Sequence, residues 1–222
     1  MRKTMRKTMK KMMGIAMSMV MLFSVNLSAA AAMPSDYDNV QKIATKDFFN
    51  QTEDDYYVYY YMENCPFCNQ VKSDMLKFAE DRSVYFVDYR IRDNWCQSYD
   101  WDVAIKKYNK TIGRVSQEGG IEYLPGESME KYQGLKNMYG KEMIFSFEIV
   151  TEDNIAQFEG AQPGDVVANI QTPEIDYVSM TSPDELIIAG VPVLFHVVDG
   201  KIVNFYFDSV EIGAYLQSNN LK

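Results

Sequence analysis

Cys65-Pro66-Phe67-Cys68 sets two thiols three positions apart. They lie between a tyrosine-rich run, Tyr56-Tyr57-Val58-Tyr59-Tyr60-Tyr61, and a helical pattern in which Cys68, Val71, Met75 and Ala79 share a face. Thiols at that spacing can close a small disulfide and open it again. The first turn of a helix leaves backbone N–H groups unpaired and carries partial positive charge, which favours a sulfur anion at the tip. Cys65, at the tip and exposed to partners, is therefore the expected nucleophile. Cys68, one turn in, is the expected resolving thiol of a mixed disulfide. An inert bridge and half of a metal site are the competing readings. Zinc wants four ligands, and apart from carboxylates only Cys96 and His196 remain as soft donors. The expectation is thiol–disulfide redox chemistry that needs no metal and no organic cofactor. Cys96, in Asn94-Trp95-Cys96-Gln97, reads as a packed thiol beside Trp95 and Trp101, and His196 as a satisfied histidine rather than a catalyst.

The flanking sequence has to position that pair. A strand over Tyr56–Met62 alternates too little to have one wet face, so it reads as central and covered on both sides. Pro66 suits the first helical position, where its missing N–H costs nothing, and the helix should run to about Glu80. A second strand over Ser83–Asp88 completes a β-α-β unit with parallel strands. Val40–Asn50 has helical spacing ahead of it. Near the other end, strands at Val193–Val198 and Ile202–Phe207 flank an Asp199-Gly200 turn. Asp208, with Glu211 three residues on, caps a final helix. Between these halves, Asp102–Asn109 and Ser128–Met138 look helical and Met143–Val150 looks like a strand.

Residues 1–32 read as an export signal: a basic start from Arg2 to Lys11, an apolar stretch over Met12–Leu27, and small residues at Ala29–Ala32 for cleavage. The apolar stretch is shorter than the ~20 residues a spanning helix needs, so membrane contact is expected only if the signal is retained as an anchor. The whole chain carries a formal charge of −9; cleavage would remove six of the 22 basic residues and none of the 31 acidic ones, leaving −15. Such a surface repels nucleic acid, and no basic patch or nucleic-acid motif offsets it. With three cysteines the chain has too few for a disulfide scaffold, which again points to a close pair used for chemistry.

The strand leading into Cys65-Pro66-Phe67-Cys68 and a helix, with Gly190-Val191-Pro192, the Asp199-Gly200-Lys201 hairpin and a last helix far downstream, resembles the thioredoxin-like superfamily. The resemblance implies an α/β fold with a central mixed sheet flanked by helices. Its halves would be residues 33–90 and 173–222, interrupted by an inserted α+β subdomain over 91–172. It also implies a cis Val191–Pro192 bond facing the cysteines, and substrate contacts from Pro66, Phe67, Val191 and Pro192. Asn64-Cys65-Pro66-Phe67-Cys68 is nearer the glutaredoxin-type Cys-Pro-Tyr-Cys than the thioredoxin Trp-Cys-Gly-Pro-Cys. Where many members bury an aspartate beneath the pair, this chain has Tyr59, leaving Glu63 or water to take a proton from Cys68. The activity implied is extracytoplasmic thiol–disulfide exchange with cysteine-containing exported proteins or peptides, reset by a membrane-side redox partner. The rival is a redox-inactive module that docks an exported partner through the insertion.

Overall fold

Tyrosine and valine favour extended backbone, and Asp55–Tyr61 forms β1. It leads into α1 (Pro66–Phe78), after which β2 (Val84–Asp88) lies parallel to β1, with Tyr57 opposite Val84 and Tyr61 opposite Asp88. The chain continues through β3 (Gln97–Ser98), α2 (Trp101–Tyr108), β4 (Lys110–Val115), β5 (Ile121–Tyr123), β6 (Phe145–Ile149), β7 (Asp165–Ile170) and β8 (Ile187–Ile188). The hairpin β9 (Val193–Val198) and β10 (Lys201–Phe207) and the helix α3 (Asp208–Asn219) end it. The computed structural model describes residues 36–219, so the expected signal segment lies outside the described residues. Among the described residues no helix is long and apolar enough to cross a membrane.

The architecture is mixed α/β. One sheet has the order β10-β9-β1-β2, a second has the order β5-β4-β7-β6, and β3 and β8 form a short parallel pair. Only β1 and β2 run parallel in the first sheet; every pairing in the second is antiparallel.

β1 is central and covered on both faces. Tyr56, Val58 and Tyr60 point into a core with Phe48, Tyr177, Leu186 and Phe195. Tyr57, Tyr59 and Tyr61 point the other way, to Val71, Met75 and Phe78 of α1 and Ile212 and Leu216 of α3. Alternation along a strand thus fills two separate cores with one run of tyrosines. Three of those hydroxyls reach partners: Tyr56 donates to the Phe48 carbonyl at 2.9 Å, Tyr60 to Thr45 Oγ1 at 3.2 Å, and Tyr57 pairs with Tyr215 at 2.7 Å.

Two expected helices are absent. Val40–Asn50 holds a single 3-10 turn, Thr45–Asp47, because the segment before it lies along the free edge of β2. There the Ile43 N–H donates to the Phe86 carbonyl, and the Phe86 N–H to the Gln41 carbonyl. Satisfying a strand edge wins over helical spacing. In Ser128–Met138 only Glu130–Tyr132 makes a 3-10 turn. Gly134 at φ +67 breaks the run, and the Met143 N–H takes the Leu135 carbonyl instead. The remaining expectations differ by one or two residues, which is fraying at element ends. At the hairpin, Asp199 and Gly200 both adopt positive φ, as a two-residue turn requires. Asp208 accepts the Val210 and Glu211 N–H groups at the start of α3, and Glu211 reaches back to the Phe207 N–H at 2.7 Å.

Phe195 lies in the centre of the first core, its ring 5.3 Å from Phe48, 5.9 Å from Tyr60 and 4.9 Å from Tyr177. Phe195→Ala should lower the unfolding free energy by about 3–5 kcal/mol in urea denaturation. Val203→Thr, on the half-exposed strand β10, should change it by less than about 0.5 kcal/mol.

Candidate active site

The pairing register brings the two halves of the site together. Tyr60 of β1 sits opposite Val193 of β9 in an antiparallel pair, so the chain leaving β1 meets the chain entering β9 at one end of the sheet. Cys65 comes four residues after β1 and Val191 two residues before β9. The Cys65 thiol donates to the Val191 carbonyl at 3.6 Å, a contact spanning 126 positions in sequence. The Val191–Pro192 peptide bond is cis. The Pro192 carbonyl accepts the Asp208 N–H at 3.1 Å, which ties the same turn to the start of α3.

Cys65 is the N-cap of α1 and its sulfur accepts the Cys68 N–H at 3.3 Å. That is one of the amides a helix start leaves unpaired, here aimed at a sulfur. Pro66 holds the first helical position, as expected, and both it and Phe67 are exposed. Cys65, Cys68 and Cys96 are all free thiols.

Cys65 is more covered than its tip position led us to expect. It is 7% exposed and Cys68 is 0% exposed. The cause is the Val191 turn, which lies against the sulfur across the gap between the strands. Of the two, Cys65 keeps a slight exposure and Cys68 keeps none. Burial, reinforced by the hydrogen bond to Cys65, pushes the Cys68 thiol up to about 12.

Beneath the pair, Tyr59 and Tyr37 share one core, 0% and 1% exposed. Both phenols feel Cys68, and burial drives both ionisations well above the ordinary tyrosine value. Neither can act as a base near neutral pH. Glu63 is not at hand either: its carboxylate meets the Arg90 guanidinium at 2.7 Å, and Arg90 also holds Asp88 at 2.6 Å. The register explains this, because Tyr61 lies opposite Asp88 and the two chains leave the sheet side by side. None of these three side chains is therefore set to take a proton from Cys68. Tyr37 escaped the sequence reading because only its packing against Tyr61, with ring centroids 4.0 Å apart, brings it here.

The third thiol lies elsewhere. Cys96 packs on the opposite face of the first sheet, its sulfur 3.9 Å from the Tyr60 hydroxyl and 3.6 Å from the Asn94 carbonyl. Burial raises its pKa as well. Its neighbours differ from those expected: Trp95 is 60% exposed, and Trp101 donates to the Ala189 carbonyl at 3.0 Å and packs on Tyr99 and Phe207. His196 bonds Asp55 at 2.7 Å and stacks on Tyr57, at the far end of β1 from the cysteines. Among the described residues no three His, Cys, Asp or Glu side chains converge as metal ligands would.

An open cavity of about 610 Å³ adjoins the pair. Phe67 and Val191, the neighbours of the pair, line it together with Trp101 of α2 and Phe145 and Ile170 of the second sheet. Comparison with protein-family models, with curated proteins and with solved structures returned no match.

The Cys68 shift has a measurable sign. The folded value lies above the ordinary thiol value of about 8.5. Stability contributed by Cys68 is thus complete below that pH and is lost as pH rises towards about 12. In protein labelled with ¹³C-cysteine, the Cys68 Cβ resonance of the reduced form should show no titration below about pH 10. A midpoint near 8.5 would mean that the thiol is not sealed.

Proposed function

We propose that this chain is a thioredoxin-like thiol–disulfide oxidoreductase, exported by the signal at 1–32, that exchanges disulfides with cysteines of other exported proteins or peptides. One observation carries the reading. Cys65, the N-cap of a helix, has its sulfur between an amide donor, the Cys68 N–H, and the backbone carbonyl that precedes Pro192. The parallel β1-α1-β2 unit, the β9–β10 hairpin and α3 support it by arranging a mixed sheet with α1 and α3 packed together on one face.

In the reductive direction the Cys65 thiolate attacks one sulfur of a client disulfide. A Cys65–client disulfide forms and the other client sulfur leaves as a thiolate. Cys68 then attacks the Cys65 sulfur, the Cys65–Cys68 bond closes, and the second client sulfur departs with the Cys68 proton. Two electrons pass from the pair to the client, and a membrane-side dithiol resets the pair. The reverse sequence inserts a disulfide into a client. Burial of Cys68 suits resolution from within, because no outside disulfide reaches that sulfur.

Insulin reduction coupled to dithiothreitol tests this reading. Wild-type protein should accelerate it, Cys65→Ser should fall to the uncatalysed rate, and Cys96→Ser should keep wild-type turnover. Cys68→Ala should accumulate mixed disulfides through Cys65, seen as adducts by mass spectrometry. Equal rates for wild type and Cys65→Ser, or adducts on Cys96 instead, would reject the proposal.

A further inference from the structure

We propose that the segment between β2 and β9 acts as a selectivity wall, admitting client segments with a large uncharged apolar residue beside the cysteine and rejecting acidic ones. This deepens the redox reading and rests on it. Phe67 sits between the two cysteines and the Val191 carbonyl touches the Cys65 sulfur, and both residues also line the cavity. A polypeptide whose cysteine reaches Cys65 therefore lays its neighbouring residues along the opposite wall. That wall comes from α2, from β6 with the residue before it, and from β7, with Ile105, Ile144 and Ile170 among the lining residues.

The chemistry of the wall defines what it takes. A volume of about 610 Å³ suits a few side chains rather than a folded surface. Among the described residues Asp208 alone is a charged lining residue, and its carboxylate is held by the Val210 and Glu211 N–H groups. Among the described residues no lysine or arginine lines the cavity, so a client carboxylate entering it would lose water without gaining a counter-ion there. The polar lining side chains are turned on each other. Gln171 Nε2 donates to Ser146 Oγ at 2.9 Å and to the Asn169 carbonyl at 3.2 Å, and Asn169 Nδ2 donates to Glu148 at 2.9 Å. Little is left to bond a polar side chain, and burial of apolar surface becomes the main source of discrimination.

Trp101 reports occupancy directly, because the only other tryptophan, Trp95, is exposed at a different site. The test uses full-length Cys65→Ser/Cys68→Ser protein with Trp95→Phe, titrated with two decapeptides. Each carries one central S-methylcysteine, flanked by leucines in the first and by aspartates in the second. The leucine peptide should change Trp101 emission and bind at least about tenfold more tightly. Ile144→Glu and Ile105→Glu, each first shown folded by circular dichroism, should abolish that preference. Val203→Glu, on β10 and away from the cavity, should keep it. Equal binding of the two peptides, or a preference that survives in a folded Ile144→Glu or Ile105→Glu protein, would overturn the inference. Self-association seen by sedimentation in place of peptide binding would overturn it too, assigning the cavity to a second copy. Because both cysteines are absent, failure here is separate from failure of insulin reduction.

Discussion

The double burial of β1 is the constraint on which the rest of this structure depends. A strand with neighbours on both edges and packed layers on both faces cannot slip: a one-residue shift would exchange the contents of two cores. Tyr56, Val58 and Tyr60 would then have to occupy the space of Tyr57, Tyr59 and Tyr61. With β1 held in register, the ends of β2 and β9 are fixed beside its own end. Arg90 consequently meets Glu63, and Val191 meets Cys65. The site is a by-product of strand alignment, with three loops leaving one end of a sheet and meeting across it.

The buried surroundings of Cys68 are neutral. A carboxylate beneath the pair would accept a proton on each cycle and would itself have to be kept charged in a low-dielectric interior, at considerable cost. Tyr59 and Tyr37 avoid that cost by remaining protonated across the accessible pH range. The trade is kinetic. In the exchange proposed above, deprotonation of Cys68 would fall at the moment when a client sulfur departs, tying the second step to the identity of the leaving group.

Legibility divides along the range of the interactions involved. The strand–turn–helix around Cys65 and Cys68 could be read because its determinants are local: tyrosines with β preference, a proline suited to the first helical position, and apolar residues at helical spacing. Asp199-Gly200 and Asp208 were legible for the same reason, since turn and cap chemistry reach only a few residues. Val40–Asn50 was misread because its fate is decided by Phe86 on a strand edge more than 40 residues away. Ser128–Met138 was misread because a cross-strand partner, Met143, claims the Leu135 carbonyl. The depth of Cys65, the company of Tyr37 and the cavity lining of Trp101, Phe145 and Ile170 depend on long-range packing. Periodicity carries no trace of that packing.

The sheet also separates thiols. Cys96 lies under Tyr60 on one side, while Cys65 and Cys68 lie with Tyr59 and Tyr61 on the other. Once β1 is seated, an exchange between the two sets would require pulling a hydrogen-bonded strand out of the middle of the sheet. Scrambling to a Cys65–Cys96 or Cys68–Cys96 bridge is therefore confined to the time before that strand docks. Prompt docking of β1 therefore fixes, early in folding, which of the three thiols can ever meet.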